Sequence, residues 1–158
     1  MLDWAGFEAS DPEFAAAGRR LLVGEDGVAI GFLATAGREG APHLGPVCPI
    51  FCGDALYLSA GARTPKVRDL RASGAFVLHA FLAANDEELQ LAGVAREVTA
   101  STERAAVHEA IPFPAFEASD PIFRLGIARA LWVYWERVGQ PDTAAQRRRW
   151  TAAPAESQ

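Results

Sequence analysis

Residues 55–71 decide how this chain folds: Ala55-Leu56-Tyr57-Leu58-Ser59-Ala60-Gly61-Ala62-Arg63-Thr64-Pro65-Lys66-Val67-Arg68-Asp69-Leu70-Arg71. The apolar run from Ala55 reads as a short strand that ends at Ser59. A loop of small residues follows, and Thr64 stands where a cap belongs, with Pro65 in the first turn of a helix running to about Ala72. Arg63 and Lys66 then fall at the positive end of the helix dipole, where a cation is disfavoured by roughly 0.3–1 kcal/mol. An anion between them turns that repulsion into attraction, and helix N-termini bind phosphate readily. Ser59 and Thr64 place hydroxyl donors at the same corner. A plain capped helix with exposed bases is the competing reading, and spacing alone does not choose between them.

Outward from this segment, short apolar strands alternate with turn signals. Val28–Thr35 is one strand, Gly37-Arg38-Glu39-Gly40 a hairpin connection, Pro42–Cys52 a second strand and Gly53-Asp54 a further turn. Proline cannot donate to a ladder, so Pro42, Pro46 and Pro49 predict an irregular edge strand with backbone groups free to meet something other than a neighbour. Ala75–Ala83 and Glu88–Thr99 follow, the latter with a bulge at Gly93. Ile122–Val138 predicts a long strand, or two joined by a kink, with Leu125, Ile127, Leu131, Val133 and Trp135 on one alternating face. Helices are predicted over 10–23 and 101–111. In the first, Ser10 or Asp11 caps, Glu13 completes a capping box, and Phe14, Ala17, Leu21 and Leu22 form the buried stripe. In the second, Ala105, Ala106, Val107 and Ile111 face inward, and Pro112 and Pro114 end it. Ala144–Trp150 carries no clear period, and 151–158 predicts a disordered tail. The class is therefore mainly β: a six-stranded antiparallel barrel decorated by short peripheral helices, in one domain over residues 1–150.

The 158 residues suffice for one self-supporting core, with 50% hydrophobic and 22% charged side chains, as in ordinary soluble proteins. A net charge of −5 argues against nucleic acid or an anionic membrane as partner. No apolar run is long enough to span a bilayer, and Met1–Trp4 has an early acid and no basic leader, so a cytoplasmic location is expected. Against this acidic background residues 63–71 carry Arg63, Lys66, Arg68 and Arg71 with only Asp69 in opposition, a patch suited to a small anion. Lys66 is the sole lysine beside fourteen arginines. Cys48 and Cys52, four apart in a strand, would have Cα atoms roughly 13 Å apart, beyond disulfide reach. They read as structural thiols. The histidines, at 43, 79 and 108, make no zinc spacing, and no metal site is expected. His43 and His79 fall in strand patterns and read as structural. Four tryptophans either complete the core or meet a second subunit. No nucleophile elbow, Walker loop, dinucleotide fingerprint or zincin motif is present, so no catalytic residue is identified. The reactive group of an enzyme built on this chain would come from a cofactor.

Taken in order, Gly31-Phe32-Leu33-Ala34-Thr35, Gly40-Ala41-Pro42-His43, Gly45-Pro46-Val47, Leu56-Tyr57-Leu58-Ser59, Arg63 to Leu70 and Phe76-Val77-Leu78 resemble the pyridoxamine 5'-phosphate oxidase-like, FMN-binding split β-barrel family. Leu89–Val98 is similar to that family's next strand, and the likeness covers about residues 28–138. The resemblance implies a homodimer with two flavin sites at the subunit interface. It implies that Ser59 lies near the flavin phosphate and that Lys66 binds it, with Arg63 and Thr64 in the preceding loop. It further implies that the backbone at Pro46 and Val47 lies along the isoalloxazine ring. The family's Ser-Arg-Lys triplet is spread here over Arg63-Thr64-Pro65-Lys66, and the C-terminal substrate motif of the true oxidase has no match.

The leading expectation is thus an FMN-dependent oxidoreductase passing a hydride to or from a small, conjugated or aromatic substrate. One alternative keeps the fold but takes a deazaflavin, whose acidic tail Arg68 and Arg71 would help to hold. Another is a non-catalytic flavin- or haem-binding protein.

Overall fold

A computed structural model of the chain describes every residue except 82, 84, 85, 113–116 and 154–158. Its elements in order are α1 (Trp4–Ser10), α2 (Pro12–Leu22), β1 (Gly31–Ala36), β2 (Pro42–Val47), β3 (Ile50–Cys52), β4 (Ala55–Ser59), α3 (Pro65–Ser73), β5 (Ala75–Ala80), β6 (Glu88–Glu97), α4 (Ser101–Glu109), β7 (Ile122–Glu136) and β8 (Ala144–Thr151). All strands pair antiparallel in one curled sheet of order β2-β1-β5-β6-β7-β4-β3, with β8 on β7. The architecture is the expected split barrel, but its strands are eight rather than six.

One added strand comes from the proline-rich segment. Instead of running unbroken from Pro42 to Cys52, the chain breaks at Cys48-Pro49. β2 pairs with β1, whereas β3, two residues later, pairs with β4. These pairings lie at opposite ends of the strand order. A chain that joins both ends of a sheet through two residues forces the sheet to curl round, so the break at Pro49 makes the half-barrel. Pro42 and Pro46 sit on the outer strand, where a missing N–H removes no ladder bond.

The other added strand is Ala144–Thr151, which lies along Arg129–Glu136 of β7. β7 therefore serves β4 with its first residues and β8 with its last ones on the same edge. Thr151, expected in a disordered tail, is instead the last residue of β8, and Ala152 N donates to Ala128 O at 2.9 Å. Residues 154–158 lie outside the described residues.

The bulge at Gly93 is present, with its extra residue on β7. Ala92 pairs with Arg129 and Gly93 with Ile127, leaving Ala128 over. A Cβ on Gly93 would stand 1.8 Å from Gly126 O, so only glycine permits this approach. The extra residue also corrects the single face predicted for β7. Leu125 and Ile127 enter the main core, but beyond Ala128 the alternation reverses and Ala130 and Trp132 point inward instead. Trp135 is exposed. A one-residue insertion exchanges the two faces of a strand.

The core fills the concave side of the sheet. α1, unforeseen in the sequence, begins where Asp3 accepts from Gly6 N at 2.9 Å and buries Trp4 and Phe7. α2 covers the same side with Phe14, Ala17 and Leu22, leaving Leu21 at its margin. Asp11 caps it through Phe14 N. Glu13 makes no capping box: its carboxylate takes Arg148 Nη1 at 2.6 Å. That same arginine lies against Phe14 and Trp132 and pairs with Asp11, fastening β8 to α2. Trp150 stacks edge-on with Phe7, so three of the four tryptophans belong to the monomer's own packing. In α4 Val107 is buried, while Ala105 and Ala106 face solvent against expectation. Val107 packs into a satellite cluster with Ile50, Ala55, Tyr57, Val98 and Ile122.

Candidate functional site at the start of helix α3

After Ser59 the loop closes on itself. Thr64 N and Thr64 Oγ1 both donate to Gly61 O, at 3.0 and 2.9 Å. Thr64 has the extended backbone of an N-cap, but its hydroxyl is turned to Gly61 and does not cap the helix. Pro65 opens α3 and lacks an N–H, which at that position is no loss. The N–H groups of Lys66 and Val67 have no acceptor among the described residues. Val67 is fully buried, so of the two only the Lys66 N–H is placed to meet a group at the positive end of α3.

Lys66 reaches from this turn to β2. Its Nζ donates to Pro46 O at 3.1 Å and lies 3.7 Å from where a Cβ on Gly45 would stand. Pro46 O points off the free edge of the sheet, and the ammonium ties helix to strand there. One of its three donors is used, leaving two. Burial lowers the Lys66 pKa, and the field of Cys48 partly opposes this. Burial in turn raises the Cys48 thiol, opposed by Lys66. Cys48 and Cys52 are both free and half-buried.

Of the four cations in residues 63–71, two are engaged by carboxylates. Arg71 makes a two-pronged pair with Glu97 at 2.8 and 2.7 Å, and Arg68 Nε stands 3.9 Å from Asp69 Oδ1. Arg63 and Lys66 pair with no carboxylate among the described residues. They are the two at the open helix start.

The structure thus brings Lys66, Pro46 and the α3 donors together, with Arg63 and Thr64 in the adjoining loop. Val47 turns its side chain into the core, so only its backbone faces outward. Ser59 is 3% exposed and its hydroxyl donates to Pro121 O at 3.3 Å, away from the helix donors. Among the described residues no three His, Cys, Asp or Glu side chains cluster as metal ligands, and no helix is long and apolar enough to cross a membrane.

Two features went unread in the sequence. On the outward face of the sheet Leu44, at 71% exposure, lies in register with Ala34 and Val77, beside the row Pro46, Phe32 and His79. Phe81 stacks edge-on against Phe32 at 4.7 Å between centroids. His79 contacts Ala80 O through Nδ1 and Glu88 through Nε2, the latter at 3.4 Å. The second feature is His43, whose Nδ1 lies 2.6 Å from Asp69 Oδ2 across the β2–α3 groove. The pairing across 26 residues left no spacing signal.

No protein-family model matches the chain, and no curated protein matches it in sequence. Solved structures do. A NimC/NimA family protein from Clostridium acetobutylicum aligns with a TM-score of 0.60 at 14% identity, over 85% of this chain and 93% of its own. A Listeria innocua protein assigned as a pyridoxamine 5'-phosphate oxidase aligns at 0.56 and 17% identity, over 65% and 86%. The fold is that of pyridoxamine 5'-phosphate oxidase-like proteins. A heme-binding protein from Mycobacterium smegmatis shares this split barrel at a TM-score of 0.55 and 22% identity, over 74% of this chain. The chain spans only 52% of that protein's length.

Proposed function

We propose that the chain is an FMN-dependent oxidoreductase whose cofactor phosphate is held at the start of α3 by Lys66, through its ammonium and its backbone N–H, and by Arg63. The carrying observation is that Arg63 and Lys66, which pair with no carboxylate among the described residues, stand at a helix start whose Lys66 N–H has no acceptor among them. A phosphate monoester satisfies both deficits at once. The isoalloxazine ring would lie along the backbone at Pro46, which is exposed, and Val47, and Thr64 would close the loop beneath the phosphate. Ser59 would support the loop rather than touch the phosphate, because its hydroxyl is engaged by Pro121. When bound, the ring supplies hydride transfer to or from a small substrate. Arg71 is tied to Glu97, so the basic groove is short, and this favours FMN over a deazaflavin with an acidic tail.

The same reading includes a second copy of the chain as partner. Leu44, Phe32, Val77 and Phe81 leave the outward face of β2, β1 and β5 apolar and uncovered in the monomer. Burial of such a face contributes about 25 cal/mol per Å². Sedimentation velocity is expected to give a dimer, and Leu44→Glu to give a monomer.

A second reading, haem in place of flavin, has one specific observation in its favour: His79 stands on that apolar outward face beside Phe32. Titration of the purified protein with FMN and with hemin decides between them. Flavin fluorescence quenching, and yellow colour that survives gel filtration, are expected. Bleaching of the bound flavin by a nicotinamide donor in a stopped-flow instrument then establishes competence for electron transfer. Protein that takes up no FMN refutes the reading, and a Soret band lost in His79→Ala establishes the second one.

A further inference from the structure

The alternation of β8 sends its three arginines to opposite faces of the sheet. Arg148 lies on the core side, held by Asp11 and Glu13 and by the rings of Phe14 and Trp132. Arg147 and Arg149 lie on the outward face, opposite Val133 and Leu131 of β7. Arg129 of β7 shares that face and stands opposite Thr151. Arg129 and Arg149 are therefore diagonal neighbours across the β7–β8 ladder, roughly 7–8 Å apart. All three outward arginines are exposed, and none pairs with a carboxylate among the described residues. Glu88, opposite Val133 on β6, is engaged by His79 Nε2 at 3.4 Å. In a chain of net charge −5, two guanidinium groups left side by side without a counter-charge are an electrostatic deficit.

Beside this pair the sheet surface holds a pocket of about 290 Å³, lined by Val77, Gln90, Ala92, Arg129, Leu131 and Arg149. The lining is one cross-strand patch: Val77 stands opposite Ala92, Ala92 opposite Arg129, and Gln90 opposite Leu131. Ala92, with only a methyl group between the larger Val77 and Leu131, leaves the hollow. Gln90 and Thr151 add polar groups without charge at its edge. The residues proposed to meet a second copy lie on β2, β1 and β5, and the pocket lies beyond them on β6, β7 and β8, sharing only Val77.

We propose that this pocket binds a small monocarboxylate with an apolar body, its carboxylate held by Arg129 and Arg149 and its body lying on Val77, Ala92 and Leu131. Guanidinium forks match the geometry of a carboxylate and supply charge-assisted hydrogen bonds. The hollow is at the small end of ligand pockets, with room for one ring or a short chain. Inorganic phosphate would satisfy the arginines but leave the apolar floor to water. An uncharged apolar molecule would cover the floor but leave the two cations facing each other. A carboxylic acid with an apolar body answers both. The inference does not depend on the flavin.

The test titrates the full chain at fixed ionic strength with benzoate and hexanoate, with their uncharged counterparts benzamide and hexanamide, and with acetate and inorganic phosphate. Calorimetry gives the affinities, and the side-chain amide of Gln90 is followed by NMR. At least one of the two acids is expected to shift Gln90 and to bind about tenfold or more tighter than its amide, the factor for one charge-assisted hydrogen bond. It should also bind more tightly than acetate or phosphate. Arg129→Gln and Arg149→Gln should each weaken it about two- to fivefold, as for an exposed ion pair, and the double variant should bind acid and amide alike. Arg147→Gln, on the same face but outside the pocket, should leave the affinity within about twofold, which sets a local site apart from a general positive field. No saturation up to about 10 mM acid, equal binding of acid and amide, phosphate binding as tightly as the acids, or an equal loss in Arg147→Gln would each overturn the proposal.

Discussion

Replacement of Lys66 by alanine separates phosphate binding from folding. In the free protein Lys66 makes one hydrogen bond, to Pro46 O, at a partly exposed position. Its loss should lower folding stability by only about 0.5–1.5 kcal/mol. With FMN bound, the ammonium would face a group carrying nearly two negative charges, and a hydrogen bond between charged groups contributes about 1.5–3 kcal/mol. FMN affinity should therefore fall about 10- to 150-fold. The decisive control is riboflavin, which has the same ring and no phosphate. Its affinity should be nearly the same for the parent and Lys66→Ala, so the ratio of FMN to riboflavin affinity collapses in the variant. Fluorescence quenching titrations at fixed ionic strength measure both. Unchanged FMN affinity, or an equal loss for riboflavin, would show that Lys66 does not hold the phosphate and that the α3 site is misassigned.

Three other outcomes follow from the geometry. Burial pushes the Asp69 carboxyl up, but the hydrogen bonds from Thr35 and His43, with the charges of His43 and Arg68, outweigh it and hold it below the usual aspartate value. The stability this contributes is present above the unfolded value of about 3.9 and is lost as pH falls through the lower folded value. Thermal melts from pH 7 to pH 2 should show the parent's advantage over Asp69→Asn shrinking only below about pH 4; a constant difference would refute the linkage. Gly93→Ala forces a Cβ against the Gly126 carbonyl and should prevent soluble expression or lower the melting temperature steeply, whereas Gly139→Ala, with nothing within 4 Å, should cost only its backbone strain. Burial and the hydrogen bond to Glu103 push the Tyr57 phenol up to about 12. In a Tyr134→Phe background, alkaline difference spectra should place its ionisation there, and Glu103→Gln should lower it.

Local chemistry made much of this molecule legible in its sequence. Strand β4, the loop after it and the start of α3 follow from a short apolar run, small residues and a proline at a helix start. The bulge followed from one glycine in an apolar run. Helix α1 escaped because Gly6 interrupts it and only Trp4 and Phe7 anchor it, which is too little for a helical period. β8 escaped because Arg147, Arg148 and Arg149 hide its alternation. One of them, Arg148, is held on the core side by Asp11, Glu13 and two aromatic rings. The site was half legible. Lys66 stood out as the only lysine, but nothing in the sequence said that Arg71 would be taken by Glu97 or Ser59 by Pro121.

The amino-acid order alone determined where most of the strands and helices form, α1, β8 and the split between β2 and β3 apart, and which cations start α3, because those features depend on neighbours within a turn or two of chain. Tertiary structure decided which of those cations pair with carboxylates, where the sheet closes, and that His43 meets Asp69. Each of these depends on groups far apart in sequence, whose distances are set by the curl imposed at Pro49 and the register shift at Gly93. Local propensity carries no information about such distances.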